Sequence, residues 1–176
     1  MSSPYLTVQA IVSRRKLAGI FFRELASKIE ATIGLYQDQN DEFRAEELGA
    51  TLSSLHCEMD DSAMKLTLSG EFSTITAIAN RPPGSIVLTR SSSSSFFNDV
   101  ETEIQICLVE VIEADGIKNA QVRLSSHGWL QLPGQAPEGT PVYEYAKLIA
   151  AAAVVSVLEH DLANELKCKK QSIGLL

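Results

Sequence analysis

The chain has 176 residues, of which 45% are hydrophobic and 21% are charged, and its formal net charge is −7. These values exclude a mostly disordered chain, and the acidic balance argues against a protein that binds polyanions through a broad basic surface. Roughly 70% of the surface of an unfolded chain of this length can be buried on folding, so no disulfide or metal is needed. We expect one α+β domain over residues 1–176.

The cysteines and the apolar runs predict a cytoplasmic protein. Cys57, Cys107 and Cys168 are few, odd in number and widely spaced, which favours reduced thiols over a disulfide framework. The first basic residues follow the N-terminal apolar stretch, which is the reverse of a signal peptide. The longest apolar run, residues 148–158, is shorter than the roughly 20 residues that span a bilayer, so we expect no membrane partner.

Helical spacing of apolar residues predicts an amphipathic helix over residues 14–33, with Ser13 as its N-cap and Gly34 as its end. The residues at this spacing are Leu17, Ile20, Phe21, Leu25, Ile29 and Thr32. Arg14, Arg15 and Lys16 would then occupy the first turn, where the helix dipole disfavours positive charge. We expect this cluster to be solvated, and contact with an acidic partner is the alternative.

Residues 55–89 predict strands. Leu55, Cys57 and Met59 alternate with polar residues, as do Met64, Leu66 and Leu68, which predicts an antiparallel hairpin with Cys57 on the core side. Residues 72–79 form a further strand or a short helix. After the break at residues 81–84, a short strand is expected over residues 85–89.

The five serines of residues 91–95 predict a mobile surface loop, because serine has little apolar surface to bury. Phe96 and Phe97 follow directly. They either re-enter the core or form an anchor that docks on a partner.

A second hairpin is predicted from residues 102–113 and 120–124, with a turn at Asp115 and Gly116. The apolar residues change from even to odd positions between Leu108 and Val109. This change indicates either a β-bulge or a strand covered on both faces.

A long helix is predicted from Thr140 to about Lys167, with Pro141 in its first turn. Residues 146–158 are apolar on nearly every side, so this part must be covered on more than one side. The sheet covers one side, and either the N-terminal helix or a second copy of the protein covers the other. In the second case Ile149, Ala152 and Val155 would bind the partner.

The predicted fold class is α+β, a largely antiparallel sheet flanked by an N-terminal and a long C-terminal helix in a two-layer sandwich. Motifs for phosphate, dinucleotide, zinc-protease or serine-hydrolase sites are absent from the sequence, so no catalytic residue and no cofactor is predicted. Histidines and cysteines do not pair at metal-ligand spacing, so no metal site is predicted.

Two polar clusters remain as candidates for chemistry. Ser126, His127 and Trp129 would line a pocket if the protein binds a small ligand or is a small hydrolase-like enzyme. His160 and Asp161, with the neighbouring Glu159 and Glu165, are expected on the solvated face of the last helix. Basic residues lack aromatic interleaving, so we do not expect nucleic-acid binding.

These observations favour a non-enzymatic protein-binding module, an adaptor, inhibitor or escort protein that masks or tethers another protein. The expected partners are another protein and a second copy in a homodimer. A small-ligand or hydrolase-like pocket and a structural subunit of a larger assembly are the alternatives.

Overall fold

A computed structural model describes residues 4–39, 54–81, 83–94, 97–100, 104–113, 116–124, 130 and 142–173. These ranges contain two helices and seven strands. Their order along the chain is α1 (Pro4–Gln39), β1 (His56–Asp60), β2 (Lys65–Ser69), β3 (Ser73–Ala79), β4 (Ser85–Ser94), β5 (Phe97–Val100), β6 (Ile104–Glu113), β7 (Gly116–Leu124) and α2 (Val142–Ile173).

Helix α1 is longer than the sequence pattern predicts. It begins at Pro4 instead of residue 14 and continues through Gly34 to Gln39. The predicted cap Ser13 is therefore inside the helix, and the basic cluster of Arg14, Arg15 and Lys16 lies in its interior, away from the positive end of the helix dipole. A lone glycine inside a helix costs only about 1 kcal/mol, so Gly34 is insufficient to end it.

The strands form one antiparallel sheet with the order β1-β2-β3-β4-β6-β7. Beyond β3, β4 pairs with β6 through its first half and with β5 through its second half. The two predicted hairpins are present as β1–β2 and β6–β7, and residues 73–79 form a strand instead of a helix.

Both helices cover the same face of the sheet. On β3, Ser73, Ile75, Ala77 and Ala79 are buried and the residues between them are half-buried. Buried register partners of Ile75, Ala77 and Ala79 lie on both neighbouring strands. These partners are Leu66 and Leu68 of β2 and Ile86 and Leu88 of β4. The buried face meets α1 and α2, which also pack along each other. This confirms the α+β class and the two-layer arrangement of helices on sheet.

The serine run does not form the predicted loop. Ser91–Ser94 continue β4, where Ser91 and Ser92 pair with Thr74 and Ser73 of β3. Ser92 is buried on the helix-covered face. Serine has a weak strand preference, but backbone pairing with β3 and β5 on the two sides outweighs it. Ser95 and Phe96 lie outside the described residues.

The sequence predicts either an irregularity in β6 between Leu108 and Val109 or a strand covered on both faces, and the structure has an irregularity a few residues later. The pairing of β6 with β7 changes register between Val111 and Glu113, whereas Leu108 and Val109 pair regularly with Val122 and Gln121. The irregularity therefore lies near the end of β6.

A side-chain cap shapes the loop of the first hairpin. Asp60 accepts hydrogen bonds from the Ser62 hydroxyl at 2.6 Å and from the Ala63 amide at 3.0 Å. These bonds stabilise the carboxylate and lower the pKa of Asp60. Met64 takes a left-handed conformation with φ 50°, and the strand pair then begins at Asp60 and Lys65.

Candidate protein-binding surface

The predicted partner contacts on α2 lie in or near the core. Ile149 is fully buried and Ala152 is nearly so, while Val155 is half-buried. Helix α1 packs along α2 and supplies the cover that the apolar residues 146–158 require. Of the two predicted covers, the N-terminal helix is thus the one observed. Most of the apolar residues from 146 to 158 are thus buried within one copy of the chain.

For the other predicted site residues the structure describes little. Phe96, Ser126, His127 and Trp129 lie outside the described residues. Phe97 begins β5, where only its backbone position is described, paired with Ser94. The structure therefore brings none of these residues together with Ile149 or Ala152 in a described site.

Helix α1 consists of a buried part and an exposed part. From residue 18 onward, one face is buried against the sheet and α2. The buried residues of this part are Ala18, Phe21, Phe22, Leu25, Ala26, Ile29 and Ile33. Residues 8–16, the exposed segment, are exposed on all sides of the helix except at the half-buried Ser13. These residues, about two and a half turns of α1, thus bury little surface against the described part of the chain.

The β3–β4 turn marks the place where the exposed segment leaves the body. The side-chain amide of Asn80 donates a hydrogen bond to the Arg15 carbonyl at 3.3 Å. Gly84 has φ 81°, and a Cβ placed there would lie 2.7 Å from Cβ of Arg14. The turn is therefore pressed against α1 at Arg14 and Arg15, and the helix continues past it toward Pro4.

The exposed segment carries large apolar side chains on one side. Val8, Ile11 and Val12 are 58%, 42% and 60% exposed. Their spacing of three and four residues places them next to each other on one helix face, and we call them the apolar stripe. The exposed Arg14, Arg15 and Lys16 follow in the next turn. Scattered apolar residues are normal on a surface, whereas a contiguous group on one helix face is a feature of docking sites.

The prediction that Asp161 lies on a solvated face is wrong. Asp161 is 1% exposed, and its carboxylate accepts hydrogen bonds from the amides of Glu71 and Phe72, at 2.7 and 3.2 Å, and from the Ser73 hydroxyl at 2.8 Å. Gly70 must lack a side chain, because a Cβ there would overlap the Asp161 carboxylate. The neighbouring Glu159 is exposed as expected.

This buried carboxylate fixes α2 to the turn between β2 and β3. Nearby on the same face of the sheet, Arg90 of β4 donates a hydrogen bond to the Ser156 hydroxyl of α2 at 2.7 Å. Because a buried carboxylate is costly unless it is hydrogen-bonded, these three bonds account for the burial of Asp161. A sequence signal for Asp161 exists, since it continues the buried stripe of Ala150, Val154 and Val157 at the next helical turn.

The thiols and histidines of the described residues give no catalytic arrangement. Burial and, to a smaller extent, the nearby Glu30 carboxylate raise the pKa of the Cys57 thiol to about 11. A thiol that stays protonated is a poor nucleophile. As predicted, Cys57 packs against the core. His56 contacts Glu58 at 3.1 Å on the surface, and within the described ranges no group of three His, Cys, Asp or Glu residues is placed to hold a metal ion.

Neither helix, over the residues described for it, contains a stretch long and apolar enough to cross a membrane. No protein-family model, no curated protein and no solved structure matches the chain. Functional inference for this protein therefore rests on its own geometry, above all on the apolar stripe of α1.

Proposed function

We propose that the protein is a non-enzymatic protein-binding module, an adaptor, inhibitor or escort protein that masks or tethers a partner through the exposed segment of α1. The observation that carries this proposal is the apolar stripe of Val8, Ile11 and Val12 on a helix that extends beyond the packed body. Val8, Ile11 and Val12 are not among the buried core residues of the described part of the chain, so packing there gives no reason for three adjacent apolar side chains.

The geometry suits a known mode of recognition. An amphipathic helix binds in a groove of its partner through anchor residues at positions i, i+3, i+4 and i+7. Val8, Ile11 and Val12 occupy the first three of these four positions. Because the helix is continuous with the packed part of α1, its exposed segment is held in helical form before binding. Preorganisation of this kind lowers the entropic cost of association.

Charge beside the stripe specifies the partner further. Arg14, Arg15 and Lys16 are exposed in the turn that follows Val12. They favour a groove with an acidic rim and accelerate encounter with it. Cys57 and Cys168 are free thiols, in keeping with action in the reducing cytoplasm. A second copy is one such partner, since the chain carries a net charge of −7.

The proposal is tested by affinity capture from the source cells with two matched variants. Val12→Glu places a carboxylate in the apolar stripe, and Ile20→Glu places one at another exposed apolar residue of the same helix, outside the stripe. We expect Val12→Glu to reduce recovery of a stoichiometric partner at least ~10-fold, the effect of about 1.4 kcal/mol, and Ile20→Glu to retain it. Undiminished recovery with a well-folded Val12→Glu variant would contradict the proposal. The mass of the complex distinguishes a second copy from another protein.

A further inference from the structure

Among the described strands, β1 forms one edge of the sheet. Strand β1 is at the end of the strand order and pairs with β2 along all five of its residues. Every β1 residue except Cys57 is exposed, with the side chains of His56 and Glu58 66% and 75% exposed. Within the described ranges no strand pairs with β1 on the side away from β2, and an edge of this kind accepts a further strand.

The two faces of this edge differ in chemistry. Cys57 and Met59 are register partners of the buried Leu68 and Leu66, so they lie on the helix-covered side. Met59 is exposed there because the sheet ends beside it. Glu58 and its neighbours two residues away on either side, His56 and Asp60, point to the opposite, open side. An added strand would meet thiol and thioether on one side and carboxylates on the other.

Negative charge surrounds the edge. Glu58 and Asp60 lie on the open side, and the Glu30 carboxylate of α1 is close enough to Cys57 to act on its thiol. Two of the nearby carboxylates have cationic neighbours, since Asp60 is opposite Lys65 and Asp61 is bonded to Arg23 at 3.1 Å. Glu58 contacts His56, which carries charge only when protonated. The unbalanced charge at the edge is thus that of Glu58 and Glu30.

This charge argues against a second copy as the added strand. In an antiparallel pairing of β1 with its own copy centred on Glu58, the two Glu58 side chains would face each other directly. Like charges directly opposite each other in a strand pair are destabilising. A strand with lysine or arginine at that position would make a favourable cross-strand pair instead.

We propose that β1 binds an extended segment of a basic partner protein as an additional strand of the sheet. The segment carries apolar residues at alternate positions, which pack beside Cys57 and Met59, and lysine or arginine between them, one of which pairs with Glu58. Main-chain hydrogen bonds supply affinity, and the alternation supplies specificity. This surface shares no residue with the apolar stripe of α1, so the inference is independent of the proposed function.

The test titrates the full chain, labelled for amide NMR, with short peptides of ~8 residues, a usual strand length. One peptide alternates valine and lysine, a second alternates valine and glutamate, and a third is the valine–lysine peptide with alternate backbone amides methylated. We expect the first to perturb the amides of residues 56–60 and to bind at least ~10-fold more tightly than the second at low salt. The methylated peptide keeps the charge but loses strand donors, so it should not bind.

Two variants locate the charge that is recognised. Glu58→Lys should abolish the preference for the valine–lysine peptide, whereas Glu159→Lys, the same change on the exposed face of α2, should leave it intact. Val12→Glu should also bind the peptide normally, which separates this inference from the function proposed for α1. Unperturbed β1 amides, equal affinity for the lysine and glutamate peptides, or binding of the methylated peptide would overturn the proposal. So would concentration-dependent shifts of the same amides without any peptide, because a second copy would then occupy the edge.

Discussion

Helix α2 and the exposed segment of α1 differ in how far their apolar side chains are buried. Residues 146–158 of α2 are apolar on nearly every side and are enclosed by α1 and the sheet. Two polar contacts, from Asp161 to the β2–β3 turn and from Arg90 to Ser156, fix α2 further. The exposed segment of α1 is less apolar, yet its apolar side chains Val8, Ile11 and Val12 remain exposed.

Apolar content alone does not identify an interface in this protein. The more hydrophobic helix is the one that the chain itself buries, because a long apolar surface is the strongest candidate for core packing. A binding surface is better indicated by apolar side chains that stay exposed after folding, and here these are the stripe of Val8, Ile11 and Val12. Four substitutions measure how different the two regions are.

The largest effect is expected from Ile149→Ala in α2. The side chain is fully buried, so its truncation should lower the free energy of unfolding by about 2–5 kcal/mol in urea denaturation. Val155→Ala, at a half-buried position one helical turn and a half later, serves as the control and should cost less. A negligible cost for Ile149→Ala would mean that α2 is not enclosed in the isolated protein.

Asp161→Ala should have the next largest effect. It deprives the amides of Glu71 and Phe72 and the Ser73 hydroxyl of their acceptor, and we expect a loss of about 2–3 kcal/mol in unfolding free energy. Amide hydrogen exchange at Glu71 and Phe72 should accelerate. The control Ser73→Ala removes one donor only and should cost about 1 kcal/mol. Equal effects of the two substitutions, with unchanged exchange, would show that the carboxylate does not fix the turn.

Gly84→Ala tests the boundary between the two parts of α1. The residue has φ 81°, and the added Cβ would press on Arg14, so we expect a loss of about 1–2 kcal/mol in unfolding free energy. Gly34→Ala is the matched control, because it lies inside α1 with open space around it and should stabilise the protein by up to about 1 kcal/mol. Thermal or urea denaturation of both variants checks the opposite signs.

The smallest effect on stability is expected from Val12→Ala in the apolar stripe. The side chain is 60% exposed and alanine is the better helix former, so the free energy of unfolding should change by less than about 0.5 kcal/mol. Urea denaturation measures this change. A loss comparable with that of Ile149→Ala would mean that the stripe is part of the core, and the proposed function would lose its basis.

Periodicity predicted the strands and hairpins well, because an antiparallel sheet covered on one face imposes alternation directly on the sequence. The β1–β2 hairpin and β3 follow the alternation of Leu66, Leu68, Ile75 and Ala77. The serine run was missed because its strand depends on pairing with β3 and β5, which residues 91–94 do not encode locally. The start of α1 was missed because residues 8–13 are not buried against the core, so packing imposes no sustained apolar spacing on their sequence.

The candidate surface was less predictable than the fold. Whether residues 146–158 meet α1 or a second copy depends on how the two helices pack, which neither helix specifies alone. Asp161 was assigned to the solvated face because aspartate is rarely buried, although its helical phase places it with Val157. The stripe of Val8, Ile11 and Val12 could not be predicted from the sequence, because only the structure shows that these side chains are exposed.

The most direct test of the proposed binding function is site-specific photo-crosslinking in the source cells. A photoreactive amino acid replaces Val12 in the apolar stripe and, in a second protein, replaces Ala31, an exposed residue of α1 outside the stripe. We expect a discrete crosslinked product of defined mass from position 12 and none from position 31. No product from position 12, or the same products from both positions, would contradict the claim that the exposed segment of α1 is a binding surface.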